Sequence, residues 1–172
     1  MAVDEALRRE RERVCLEHMT AENAHDFARC IAAFAHPRYE LIGTDEVYDG
    51  QVRVNQLLLQ NQVAFPDFQF GVEAMHYADA VVVVEGTFRG THLGPWRGLP
   101  ATGRRLELLM AVIFQFEGAD MICERVFFDF MTMLAQLGVA HDVNTARGKL
   151  LTMLNHPLTF GRAMVRKIGG GR

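Results

Sequence analysis

What this sequence lacks narrows the field before any motif is read. Its 172 residues hold three cysteines, Cys15, Cys30 and Cys123. They are odd in number, form no CxxC and sit within apolar segments, so no disulfide framework follows and a reducing compartment fits. No apolar run approaches the ~20 residues needed to cross a bilayer; runs such as Ala80 to Val84 are strand-sized. The opening run Asp4-Glu5-Ala6-Leu7-Arg8-Arg9-Glu10 is charged from the start and reads as neither a secretion signal nor a transit peptide. A cytoplasmic protein is the expectation. Neither sign of charge dominates: 18 basic residues face 21 acidic ones, a net charge of −3, and no nucleic-acid partner is expected.

The usual motifs are missing as well. There is no GxSxG, GxGxxG or GxxxxGK[ST], which leaves a nucleophilic triad and a nucleotide cofactor without support. The histidines at 18, 25, 36, 76, 92, 141 and 156 form no HxH and no pair four residues apart, so the expectation is no metal and no cofactor.

What is present is ordinary globular composition, 49% apolar and 23% charged. Asp4 is placed to cap a first helix carrying Leu7, Val14, His18 and Met19 at helical spacing. Asp26 can cap a second, with Phe27, Cys30, Ile31 and Phe34, ended by His36-Pro37. Short strands follow at Tyr39–Ile42 and Glu46–Tyr48. A third helix runs from Gln51 to Phe65, with Val54, Leu57, Leu58 and Asn61 on one stripe, and Pro66-Asp67 stops it. From Phe68 the period becomes two. Strands are expected from Phe68, over Ala80–Arg89, Arg104–Phe116 and Met121–Phe130, with a long Gly/Pro-rich loop at residues 90–103 holding His92 and Trp96. Helices first and long antiparallel strands last give an α+β domain over 1–139. Residues 140–172 read as an appended tail. From 141 onward it carries six basic residues against Asp142, or +5, leaving −8 on the body. Within it Phe160, Met164, Val165 and Ile168 have the spacing of a basic amphipathic helix. Such a helix can pack on the acidic body or dock on an anionic membrane or a carrier protein.

Acid–base chemistry in an apolar setting is the remaining route to catalysis. Asp129, in Val126-Phe127-Phe128-Asp129-Phe130, would have its pKa raised by desolvation if the aromatic residues enclose it; alternatively it faces water or caps the next helix. Gln115 shares strand parity with Glu107, Leu109, Ala111 and Ile113. It points either to a ligand or to solvent, with Val112, Phe114 and Phe116 forming the core in the second case. His18 and Asn61 are polar groups on apolar helical stripes, either satisfied core residues or ligand contacts.

Several of these stretches together resemble the SnoaL-like polyketide cyclase family of the nuclear transport factor 2 superfamily. They are Asn23-Ala24-His25-Asp26, Phe65-Pro66-Asp67, Gly90-Thr91-His92-Leu93-Gly94, Gly98-Leu99-Pro100-Ala101-Thr102-Gly103-Arg104, Glu124 to Asp129, and Gln136-Leu137-Gly138. The resemblance implies a cone-shaped curved antiparallel sheet packed against three N-terminal helices, enclosing an apolar pocket and often paired as a homodimer. It also implies cofactor-independent, intramolecular aldol-type ring closure on a hydrophobic small molecule. Asp129 would be the acid–base residue, Gln115 or His92 would steady the enolate, and Trp96, His18, Asn61 and Phe127 would contact substrate. Gln115 stands near the place where the family's cyclases have histidine, and the segment before Asp129 lacks their tryptophan. A non-catalytic small-molecule-binding or dimerisation module of the same fold is the competing expectation.

Overall fold

The Asp4 carboxylate accepts the Ala6 amide at 3.2 Å and starts helix α1, Glu5–Asn23, in the computed structural model, which describes residues 4–141, 145–159 and 162. Asp26 accepts the Arg29 amide and starts α2, Phe27–Ala32. Strands β1, Arg38–Leu41, and β2, Glu46–Asp49, form a short hairpin through a 3₁₀ turn at Ile42–Thr44. Helix α3 covers Gln51–Ala64. Four long strands follow: β3 Gln69–Ala78, β4 Val81–Thr91, β5 Arg105–Glu117 and β6 Asp120–Phe128.

The six strands make one open, curved sheet in the order β2-β1-β6-β5-β4-β3. β3 through β6 are antiparallel throughout, as the alternating pattern requires, whereas β1 joins β6 in parallel. That parallel seam sets Tyr39 opposite Glu124, two residues that the chain separates widely. A bulge between Val72 and Ala74 interrupts β3; such an extra residue bends a strand and sharpens its twist.

The inward face of the sheet is settled by burial. Val112, Phe114 and Phe116 of β5 are at most 5% exposed, and Val82 and Val84 of β4 are buried with them. Leu109 is 76% exposed. Gln115 therefore lies on the outer face with Glu107, Leu109, Ala111 and Ile113, and the solvent-side alternative for that strand is the correct one. The helices cover the inner face around one core that includes Cys15, Met19, Leu57, Leu58, Phe65 and Phe114.

β6 ends two residues earlier than the sequence pattern suggests. Asp129 accepts the Met131 and Thr132 amides at 2.9 and 3.1 Å and caps a further helix, α4, Phe130–Leu137. Gly138, at φ 80°, closes it. In the tail, helix α5 spans Ala146–Asn155 behind a Thr145 cap. The amphipathic helix expected over Phe160–Ile168 lies, apart from Arg162, outside the described residues.

Candidate functional site

The walls of the site are apolar because inward-facing strand positions and the core stripe of α3 meet there. A cavity of about 120 Å³ is bounded by Phe65, Phe68, Phe70, Phe88, Met110 and Phe128, among others. Its floor holds the polar residues Glu22, Tyr39 and Glu124. Glu22 comes from the last turn of α1, and Tyr39 and Glu124 from the paired β1 and β6.

Behind that floor stands His18, one helical turn before Glu22 and 1% exposed. Its Nδ1 donates to the Cys30 carbonyl at 3.1 Å and its Nε2 to the Glu124 carboxylate at 2.9 Å. A carbonyl and a carboxylate can only accept, so both ring nitrogens carry protons and the pair is imidazolium with carboxylate. Burial alone would depress the His18 pKa, but the contacts with Cys30 and Glu124 outweigh it and hold the ring well above the ordinary imidazole range. With Nε2–H given to Glu124, the Tyr39 hydroxyl 3.1 Å away cannot donate to it. The Tyr39 proton is free to reach Cys30 Sγ, 3.5 Å distant, or a ligand. Burial first, then the negative charges of Glu124 and Glu22, keep this phenol far above its usual pKa, so it stays neutral.

Glu22 differs from its neighbours. Its carboxylate lies 3.9 Å from His18 Nε2 and accepts no hydrogen bond among the described residues. Burial, then repulsion from Glu124, push its carboxyl up to about 7 against the partial relief given by His18. A carboxyl that gains and loses its proton near neutral pH, facing an apolar cavity, is suited to move protons to and from carbon.

The same cluster includes groups that can ligate a metal. His18, Glu22 and Cys30 present ligand atoms within 4.8 Å of one another. However, Cys30 Sγ is 3.5 Å from Nδ1 and 3.8 Å from Nε2, which sets it beside the ring and off the Nε2 lone-pair axis. A cation on Nε2 would also have to displace the proton shared with Glu124. The donor set fits the protonated pair better than a metal ion.

The mouth is more polar. A second chamber of about 320 Å³ adjoins the first, sharing Leu57, Asn61, Trp96 and Arg97 as wall and adding Glu46, Tyr48 and Gln60. Trp96 and Leu99 exchange main-chain hydrogen bonds at 2.9 and 2.8 Å in a tight turn. Arg97 at φ 49° and Gly98 at φ 79° fill its left-handed positions. Gly94 lets the loop lie against α3, because a Cβ there would meet the Val63 carbonyl at 2.0 Å.

The residues singled out from sequence divide clearly. Asn61 and Trp96 line the cavity, and His18 lies directly behind it. The others do not line it. Gln115 and Phe127 sit on the outer face, Phe127 paired with Ala111 and beneath the Arg125 guanidinium. His92 is buried beside Phe65, its Nδ1 accepting the Thr102 amide at 3.2 Å, and burial lowers its pKa. Asp129 is exposed, and the little desolvation it has is outweighed by hydrogen bonds. The Thr132 hydroxyl, then the Thr132 and Met131 amides, hold its carboxyl below the ordinary range. Glu22, Tyr39 and Glu124 were not anticipated. The available signal was His18 and Glu22 four residues apart on one helix, which a search for paired histidines passes over.

Comparison with known proteins agrees with this fold. The family profile described as SnoaL-like polyketide cyclase matches residues 13–137. No curated protein matches the chain. Among solved structures, AclR from Streptomyces galilaeus is similar at 23% identity and TM-score 0.68, over 81% of this chain and 95% of that one. IdmH from Streptomyces antibioticus is 25% identical, with TM-score 0.64 over 75% and 99%. A protein of ketosteroid isomerase-like fold from Catenulispora acidiphila, in complex with trimethylamine, is 14% identical with TM-score 0.62 over 73% and 92%. With the profile spanning well over half of its residues, this chain belongs to the SnoaL-like polyketide cyclase family.

Proposed function

We propose that the protein is a cyclase-type enzyme that removes a proton from carbon beside a carbonyl of a hydrophobic small molecule, with Glu22 as the base. The observation that carries this reading is the Glu22 carboxyl itself: it faces an apolar cavity, lacks any hydrogen-bond donor among the described residues, and has its pKa raised to about 7. Family membership and two relatives provisionally assigned as hydroxylase (AclR) and polyketide cyclase (IdmH) support small-molecule chemistry of this kind.

In the proposed cycle the Glu22 carboxylate takes the proton and the C–H electron pair becomes an enolate. Tyr39, neutral and with a free hydroxyl proton, donates to the enolate oxygen, aided by the adjacent His18 imidazolium. The enolate carbon bonds to a second carbonyl of the same molecule, and the alkoxide so formed recovers the proton from Glu22. Atoms and charge balance without an added reactant. The aromatic walls hold the chain folded for that contact.

The test uses 2-tetralone, a small bicyclic ketone with acidic α-protons, in D₂O. Proton NMR should show protein-catalysed loss of the α-signals. Glu22→Gln should reduce that exchange by at least ~100-fold, in line with the usual contribution of a general base, while Asp129→Asn retains most of it. Exchange that survives in Glu22→Gln would remove Glu22 from the mechanism. Binding without any exchange would favour the non-catalytic module.

A further inference from the structure

The two chambers carry an uneven set of charges. Their walls hold three carboxyl groups, Glu22, Glu124 and Glu46, and among the described residues one cation, Arg97. That cation is already committed. Arg97 Nη1 donates to Glu46 Oε1 at 2.8 Å and its Nη2 donates to Glu46 Oε2, a two-pronged pair bridging the loop turn to β2. Glu46 is itself held from other sides: the Thr44 hydroxyl donates to Oε2 at 2.6 Å and the Tyr48 hydroxyl to Oε1 at 3.4 Å. The guanidinium is fixed further by its own indole neighbour, 4.9 Å from the Trp96 ring centre. The neutral hydrogen-bonding groups at the neck are the ones left open. The Trp96 indole N–H and the Asn61 and Gln60 carboxamides have no hydrogen-bond partner among the described residues.

We infer that Glu46 is a specificity residue: by occupying both terminal guanidinium nitrogens of Arg97 it withholds from anionic head groups the one cation that lines the chambers among the described residues, and the two chambers admit neutral amphiphiles with an oxygen-bearing end. An apolar body fits among the phenylalanines inside, and a carbonyl or hydroxyl oxygen meets the free N–H groups at the neck. An anion entering the same space meets carboxylates at both ends and no free counter-charge among the described lining residues, the Arg53 guanidinium lying outside the lining, 5.9 Å from the Tyr48 ring centre. At short range in a partly buried site, such repulsion is not screened away. A carboxylate head would have to displace Glu46 from a bidentate pair, among the stronger hydrogen-bonded contacts a protein makes. Acting through Arg97, Glu46 is a positioning residue and not a catalytic one. The inference extends the proposed function by naming its substrate class, yet it concerns binding, and its outcome is independent of whether Glu22 moves protons.

Two isosteric probes separate charge from shape, 2-acetylnaphthalene, a neutral ketone, and 2-naphthoate, the corresponding anion. Calorimetric titration of the full chain should show the ketone binding at least tenfold more tightly than the anion. Glu46→Gln frees the guanidinium and should raise naphthoate affinity relative to the ketone by at least tenfold, closing or inverting the preference. The double variant E46Q with R97Q should restore discrimination, which a merely structural role for Glu46 would not do. Arg97→Gln alone leaves Glu46 uncompensated and should sharpen the preference for the ketone, so the inference stays testable if Glu46→Gln fails to fold. Equal affinities in the wild-type protein, failure of both probes to bind, a ratio unmoved by Glu46→Gln, or an Arg97→Gln ratio shifted toward the anion would each overturn it.

Discussion

Glu22 illustrates how a functional group is set against stability. Its ordinary carboxyl pKa of 4.5 becomes about 7 in the folded chain, so the folded protein holds this proton more tightly than the unfolded one. The linkage has a definite sign: the stability associated with the protonated form is fully present below about 4.5 and is lost as pH rises through about 7. The difference amounts to about 3 kcal/mol at full ionisation, taking ~1.4 kcal/mol per pKa unit. Replacing the carboxyl by an uncharged amide of similar shape should therefore stabilise the fold. Chemical denaturation should find Glu22→Gln more stable than wild type by up to about 3 kcal/mol at pH 8, with the gap closing toward pH 4. The same ionisation governs activity in the opposite sense: 2-tetralone exchange should climb with pH and level off above an apparent pKa near 7. A profile that is flat between pH 5 and 8 would show that Glu22 does not act as the base.

At the scale of elements, most of the architecture was legible because local chemistry and tertiary structure agree. Asp4 and Asp26 cap the helices where their spacing indicates, and the switch from helical to alternating period at Phe68 marks the start of the four long strands. What the sequence could not reveal was the direction in which β5 faces, since Leu109, Ala111 and Ile113 are as apolar as Val112, Phe114 and Phe116. The choice between ligand and solvent for Gln115 and Asp129 stays open in the sequence for that reason, and neither they nor Phe127 line the cavity. The motif residues that carry the family resemblance turn out to fasten elements together. Asp67 accepts both the amide and the hydroxyl of Thr91 at 2.6 and 2.7 Å, tying the end of α3 to β4. Asn23 pairs with the Phe70 main chain at 2.7 and 2.9 Å, joining α1 to β3. Gln136 does the same for Glu107, with two 2.8 Å bonds holding α4 against β5. Asp129, the cap at the other end of α4, belongs to this set. Losing the cap should lower the melting temperature of Asp129→Ala by roughly 2–4 °C, with ketone exchange retained. A drop in exchange with no thermal change would return Asp129 to the mechanism.

At the scale of the whole molecule, the sheet has one face buried under helices and another that is too apolar for a strand surface left in water. Leu109 is 76% exposed, and Val81, Val83, Ala111 and Ile113 continue the patch across β4 and β5. Polar pairs ring it: Arg89 with Glu107, His76 with Glu85, and Arg125 with Glu40, at 2.8, 3.0 and 2.9 Å. Each pair is satisfied within its own chain, so the rim presents no net demand on a partner and the apolar centre is free to meet an identical surface. A two-fold arrangement places the same patch on both sides of the contact, which an antiparallel sheet face allows without rearrangement. Apolar patches of this kind are seldom left uncovered on monomers. The expected state in solution is thus a homodimer of roughly 39 kDa, twice the 19.4 kDa chain. The measurement is sedimentation equilibrium at micromolar concentration, with Leu109→Asp as the decisive variant. A carboxylate at the centre of the patch should reduce the species to about half that mass while circular dichroism stays unchanged, because Leu109 contributes nothing to the core of its own subunit. A wild-type protein that sediments as a monomer, or a Leu109→Asp variant that remains dimeric, would place the subunit contact elsewhere or remove it.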